Sequence, residues 1–174
     1  MAVNLVVGTN SYISVVDATA YFADRLWYTA WFEAPAEQQS QALIMATKVL
    51  DRQLYKGKLK DSSQVLKFPR CYKRYPLEGE WDFVGNLAES IYDRDWYCEV
   101  SVHKNVKEAC CEEALALLVR GNSSRLKLQR EGVQSFSIDG LSETYQAGSG
   151  KGLLSHEARE LLKPYLAKAV RTTC

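Results

Sequence analysis

Between Glu37 and Leu54 the apolar residues Ala42, Leu43, Ala46, Val49, Leu50 and Leu54 recur at steps of three and four. That spacing gathers them on one side of an α-helix. It is the clearest periodic signal in the chain. Pro35 and Glu37 suit the opening turn, where proline is tolerated and an acid is favoured. Lys56-Gly57 supplies a stop signal. A chain of 174 residues with 47% apolar and 25% charged content has enough core-forming material to cover such a stripe within one domain.

Three further helices are expected. Ser14, with Asp17 three residues on, caps a helix over about 15–26 that carries Ala18, Tyr21, Phe22 and Arg25 on one face. Trp27, Tyr28, Trp31 and Phe32 crowd together just after it. Asn105, with Glu108 at capping-box spacing, opens a third helix whose stripe is Val106, Ala109, Cys110, Ala114, Leu117 and Leu118, ending at Gly121-Asn122. Ser155 caps a last helix carrying Leu154, Ala158, Leu161, Leu162, Tyr165 and Ala169, with Pro164 inside it as a kink.

Strand signals are sparse. Val3 to Val7 reads as an extended segment before the turn at Gly8-Thr9-Asn10. Leu126 and Leu128 alternate with Lys127 and Gln129. Val133, Phe136 and Ile138 alternate with polar residues up to Asp139-Gly140, so about 132–146 reads as a β-hairpin. The stretch from about 70 to 104 is aromatic-rich, broken by Pro76, Gly79 and Gly85, and has no sustained period. A loop of that length is often functional. The expected fold is therefore mainly α: a small bundle of about four helices with one β-hairpin and a long aromatic-rich loop. Residues 1–150 form the main unit, and 151–174 a C-terminal helix and tail after a glycine-rich connector.

Composition narrows the partners. Net charge is +1, from 22 basic and 21 acidic residues. A dedicated duplex-DNA binder is usually more basic, because phosphate contacts dominate its affinity. No secretory leader or membrane-length apolar run is read at the start or elsewhere. Cys71, Cys98, Cys110, Cys111 and Cys174 are odd in number and irregularly spaced, which suits reduced thiols in a cytosolic protein.

No catalytic or metal constellation stands out, so no enzyme activity, metal or cofactor is expected. His103 and His156 lie near no obvious nucleophile. A zinc set of Cys98, His103, Cys110 and Cys111 is disfavoured, because adjacent cysteines on a helix point about 100° apart. Gly148, Gly150 and Gly152 with Lys151 lack the phosphate-loop spacing. Asp93, Asp95 and Glu99 are interleaved with Arg94 and Trp96, as in a solvated or interface loop. Arg70-Cys71-Tyr72-Lys73-Arg74-Tyr75 interleaves bases with aromatics. That combination stacks and neutralises single-stranded nucleic acid, with Arg70, Lys73 and Arg74 as contacts. It also marks protein interfaces, which the near-zero net charge favours here. Arg125, Lys127 and Arg130 form a weaker basic strip.

Several separated segments together resemble one family. They are Gly8-Thr9-Asn10-Ser11-Tyr12-Ile13-Ser14, the run from Asp17 to Leu26, Ala42 to Thr47 with Leu50-Asp51, Phe68-Pro69-Arg70, and Glu131 to Gly140. Leu161-Leu162-Lys163-Pro164-Tyr165-Leu166 also looks like that family's closing helix. The pattern is similar to head–tail connector (adaptor) proteins of tailed bacteriophages, a group that overlaps families labelled DnaT-like single-strand DNA binding. The resemblance implies a virion structural protein of the phage neck, assembled in the host cytoplasm. It would form a ring, usually dodecameric, between the portal and a tail or stopper protein. Genome DNA would pass through the channel without sequence-specific contacts, and no membrane would be involved. It further implies a portal-docking arm at 151–174, with Leu161, Leu162, Tyr165, Leu166 and Val170 as contacts. Trp81, Trp96, Tyr97, Phe136 and Ile138 are then candidates for contacts with neighbouring subunits or the next ring. The chain departs from the pattern in the length of its aromatic stretch, and in Val102-His103 where the family has an Ile-Pro-like lead into the third helix. The alternative implied by the overlapping label is a single-stranded DNA-binding protein.

Overall fold

A computed structural model describes residues 4–73, 96–131, 133, 135–138, 141–144 and 152–167. Among them are six helices: α1 (Val15–Ala23), α2 (Thr29–Glu33), α3 (Ala36–Leu50), α4 (Lys104–Arg120), α5 (Ser124–Arg130) and α6 (His156–Leu162). Five strands form two antiparallel sheets. β1 (Lys58–Leu59), β2 (Arg70–Lys73) and β3 (Trp96–Cys98) lie in that order in one, and β4 (Ser135–Ile138) and β5 (Leu141–Thr144) pair as a hairpin. The architecture is mixed α/β, which corrects the expectation of a mainly α bundle of about four helices.

The core is built on α4, which packs against α3 and α6 and also meets α1 and α2. Its expected stripe is buried at Val106, Ala109, Cys110 and Ala114. So are Cys111, Glu112, Glu113 and Ala116, because neighbours surround the helix on more than one side. Ala42, Leu43, Ala46 and Leu50 of α3 face it, as their period requires. Trp31 of α2 is fully buried, with its ring 5.0 Å from Phe22 and its indole N–H donating to Thr19 Oγ1 at 3.1 Å.

Two buried acids have specific tasks. Glu112 accepts from Tyr21 Oη at 2.8 Å and pairs with Arg25, tying α4 to α1. Glu113 accepts from the backbone N–H groups of Leu154 and Ser155 at 3.0 and 2.9 Å. It thereby satisfies donors at the start of α6, where a negative charge is favoured.

The caps explain most helix boundaries. Ser14 Oγ accepts from Asp17 N at 3.1 Å and opens α1 as expected. α4 is capped instead by His103, whose Nδ1 accepts from Asn105 N at 3.2 Å, so the cap lies two residues before Asn105. α1 ends at Ala23 and α3 at Leu50, each short of the periodic pattern, and Leu54 is 76% exposed. Leu126 and Leu128 lie in α5 rather than in an extended segment. α6 ends at Leu162, so Pro164 follows the helix and does not kink it. Before α1, Val7 makes only a single bridge to Ser11. The hairpin at about 132–146 is present, with Ser135 opposite Thr144 and Ile138 opposite Leu141.

The expectation about the cysteines is overturned. Cys71 and Cys98, directly opposed across β2 and β3, form a disulfide, so the cysteines are not all reduced thiols. Cys110 and Cys111 are free and buried. The segment after α6 is held against its own chain: Lys56 N donates to Tyr165 O at 2.8 Å and Ala167 N to Leu54 O at 2.9 Å.

Candidate nucleic-acid interface

β2 and β3 of the three-stranded sheet sit in the stretch read as a loop, and a single side chain organises the sheet. Arg70 is buried. Its Nε donates to Lys56 O at 2.8 Å, Nη2 to Gly57 O at 2.9 Å and Nη1 to Lys67 O at 3.1 Å. The guanidinium also lies 5.8 Å from the Tyr55 ring centroid, within cation–π range. Its backbone N–H donates to Glu99 Oε2 at 3.0 Å, and its carbonyl accepts from Glu99 N at 3.0 Å. Gly57 makes this closure possible. Its φ is +74°, and a Cβ there would lie 2.1 Å from the Cys71 carbonyl oxygen.

Strand alternation then sorts the side chains. Lys58 opposes Cys71, Cys71 opposes Cys98, and Lys73 opposes Trp96. These residues share one face, which the disulfide and the position of Lys58 Nζ 4.3 Å from the Trp96 ring centroid corroborate. Arg70 and Tyr72 share the other face and turn toward the helical body, where Tyr72 meets Tyr165 at 6.3 Å between ring centroids. The Tyr72 hydroxyl is buried without a hydrogen-bond partner among the described residues. Tyr97, on β3, is 57% exposed.

The first face thus carries two lysines, an aromatic ring and a covalent cross-link. Its surroundings are strongly basic. Residues 48–73 hold eight cations (Lys48, Arg52, Lys56, Lys58, Lys60, Lys67, Arg70 and Lys73) against Asp51 and Asp61, a net +6. The rest of the chain therefore carries −5, since the total is +1. Apart from Arg70 every one of these cations is exposed. Exposed ammonium groups beside accessible aromatic rings can neutralise phosphates and stack bases.

The expected contacts fall out unevenly. Lys73 is exposed on the basic face, whereas Arg70 is consumed by backbone carbonyls and has no free donor fork for a phosphate. Arg74 and Trp81 lie outside the described residues, as do Val170, Asp93 and Asp95. Trp96 is half-buried under Lys58. Phe136 and Ile138 stand in β4, opposite Glu143 and Leu141. Leu162 is buried in the core, and Leu161, Tyr165 and Leu166 pack against it, so these four serve the fold of this chain. Tyr165 in particular sits 5.8 Å from Phe68 and 5.5 Å from His103, ring to ring. Lys58 and Lys60 were not singled out in the sequence, although the charge excess over 48–73 was there to be counted.

Among the described residues no group of three or more His, Cys, Asp or Glu side chains is placed to hold a metal ion. None of the helices is long and apolar enough to cross a membrane, again among the described residues. No curated protein and no solved structure matches the chain. Residues 3–83, just under half of the chain and including β1, β2 and the whole basic segment, match the model of a family described as "Putative DnaT-like ssDNA binding protein".

Proposed function

We propose that this chain acts by binding rather than by catalysis, and that its ligand is single-stranded DNA held on the sheet of β1, β2 and β3. The observation that carries the proposal is the coincidence of the +6 segment with exposed Lys58 over the half-buried Trp96 ring and with exposed Lys73. The family match over 3–83 supports the same ligand. Lysines bind the phosphates as mobile point charges, and Trp96 offers its ring to an unstacked base. Recognition of this kind is tolerant of sequence and sensitive to salt.

The test is binding of a fluorescent single strand, read by anisotropy at low and moderate salt. The Lys58→Glu/Lys73→Glu double variant should weaken binding at least tenfold while leaving the thermal midpoint within a few degrees. Equal binding by both proteins would exclude the sheet as the site.

A second reading, a ring-forming connector of the phage neck with portal, stopper and sister subunits as partners, is favoured by a different observation. Leu26 and Trp27 are 80% and 91% exposed, and Trp27 has φ +67°, a conformation a bulky side chain rarely adopts. Exposed, conformationally costly apolar residues commonly mark partner contacts. In that reading DNA passes the basic face inside a channel. Rings seen by electron microscopy, or co-sedimentation with portal particles that Trp27→Asp abolishes, would support it. A monomer that ignores portal particles would exclude it.

A further inference from the structure

A second recessed feature lies within the basic segment but away from the sheet residues. A cavity of about 380 Å³ opens between the Gly8–Asn10 turn, the last turn of α3 and the segment at Val65-Leu66. That volume falls within the range of small-ligand sites. Thr9, Asn10, Lys48, Asp51, Arg52 and Leu66 are among its lining residues.

The polar groups there are unequally occupied. Asn10 is spent on the turn: its Oδ1 accepts from Val6 N at 2.7 Å and its Nδ2 donates to Asn4 O at 2.8 Å. Asp51 Oδ1 accepts from the Tyr12 hydroxyl and from Lys67 N at 3.4 Å, which fixes the carboxylate in place. Its Oδ2 has no hydrogen-bond partner among the described residues. Lys48, in the last turn of α3, and Arg52, just past its C-cap, are exposed and make no hydrogen bond or ion pair among the described residues. The cavity therefore combines an apolar wall at Val65-Leu66, one fixed acceptor and two free cations.

We infer that this cavity receives a guanine nucleotide, with the base edge on Asp51 and the phosphate on Lys48 and Arg52. An ionised carboxylate only accepts hydrogen bonds. Guanine presents N1–H and N2–H side by side, so the free oxygen meets donors alone. Adenine and cytosine place a ring acceptor beside their amino group, and thymine flanks its single N–H with carbonyl oxygens. None of the three offers two adjacent donors, and only cytosine's N4–H on the C5 side can reach a carboxylate without a lone pair beside it. Two cations lining one cavity can together neutralise one phosphate. The inference rests on the nucleic-acid reading above for its class of ligand, and it adds a preferred base at a second position on the same strand.

The experiment is a titration of the full chain with dGMP, dAMP, dCMP and dTMP, followed by two-dimensional amide NMR. A charge-assisted hydrogen bond predicts that dGMP binds about tenfold to a hundredfold more tightly than the other three. Its shifts should centre on Gly8 to Asn10 and Lys48 to Arg52. Lys48→Glu/Arg52→Glu, both at exposed positions, should abolish binding, and Asp51→Asn should remove the preference for guanine. If Asp51→Asn does not fold, the rim variant and the ranking of the four nucleotides still decide. Equal affinity for all four, no saturable binding at millimolar nucleotide, or shifts centred elsewhere would overturn the inference. A guanine-free oligothymidine strand run in parallel separates the two proposals. Strand binding without dGMP binding removes only the cavity, and dGMP preference without strand binding removes only the sheet.

Discussion

Arg70 is held by the carbonyls of Lys56, Gly57 and Lys67, so its charge serves the fold and not a ligand. Arg70→Met would leave three acceptors without their donor. The expected cost is about 3 kcal/mol, read as a lower urea midpoint. Lys73→Ala, three residues on and exposed, should change stability by no more than about 0.5 kcal/mol. The interleaved bases and aromatics from Arg70 to Tyr75 were legible in the sequence as a surface of some kind. Which of the cations turns inward was not, because that depends on two carbonyls thirteen and fourteen residues away as well as that of Lys67. Cys110 shows the opposite case. Its place on the stripe of α4 already implied a core thiol, and burial pushes its pKa up to about 12. Cys111 is raised by burial too, and then by the neighbouring Cys110 thiol. Neither should react with a thiol-specific reagent at pH 8 until denaturant is added. Rapid labelling of the native protein would contradict their placement. The unpartnered Tyr72 hydroxyl yields a further expectation. Tyr72→Phe removes a buried polar group that makes no bond, so the melting temperature should hold or rise.

At the scale of elements, long periodic helices were readable and short strands were not. α3 and α4 span four or more turns, so their stripes outweigh local noise. β1, β2 and β3 have two to four residues each, too few for a period of two to register. Their pairing comes from Arg70, Gly57 and the Cys71–Cys98 bond, which are tertiary facts. The same limit applies to α5, where Leu126 and Leu128 in seven residues fit a strand as well as a helix. The hairpin of β4 and β5 escaped it because Asp139-Gly140 is a turn signal in its own right. The disulfide makes the sheet testable as a unit. It closes a loop with a sequence separation of 27 residues. In the chain-entropy picture such a link is worth on the order of 3 kcal/mol. Cys98→Ser should lower the denaturation midpoint accordingly and weaken strand binding through loss of a fixed Lys58–Lys73–Trp96 face. An unchanged midpoint would mean that the cross-link does not stabilise this fold.

Across the whole molecule, charge separation says more than net charge. A total of +1 led to the expectation of protein partners, yet residues 48–73 carry +6. Part of the balance lies in residues 74–95, where six acids stand against Arg74 and Arg94. A phosphate backbone responds to the local potential of the face it meets, not to the sum over the chain. In the C-terminal segment Leu161, Leu162, Tyr165 and Leu166 close the core beside Phe68 and Tyr55. The most direct test of the account is the salt dependence of single-strand affinity, measured as log K against log salt for wild type and Lys58→Glu/Lys73→Glu. About four phosphate contacts on the basic face predict a wild-type slope of about −3, at roughly 0.7 per phosphate. The double variant should flatten it by about 1.4, two contacts' worth, on the same scale. A wild-type slope near zero, or identical slopes in the two proteins, would contradict the assignment of this sheet to nucleic acid.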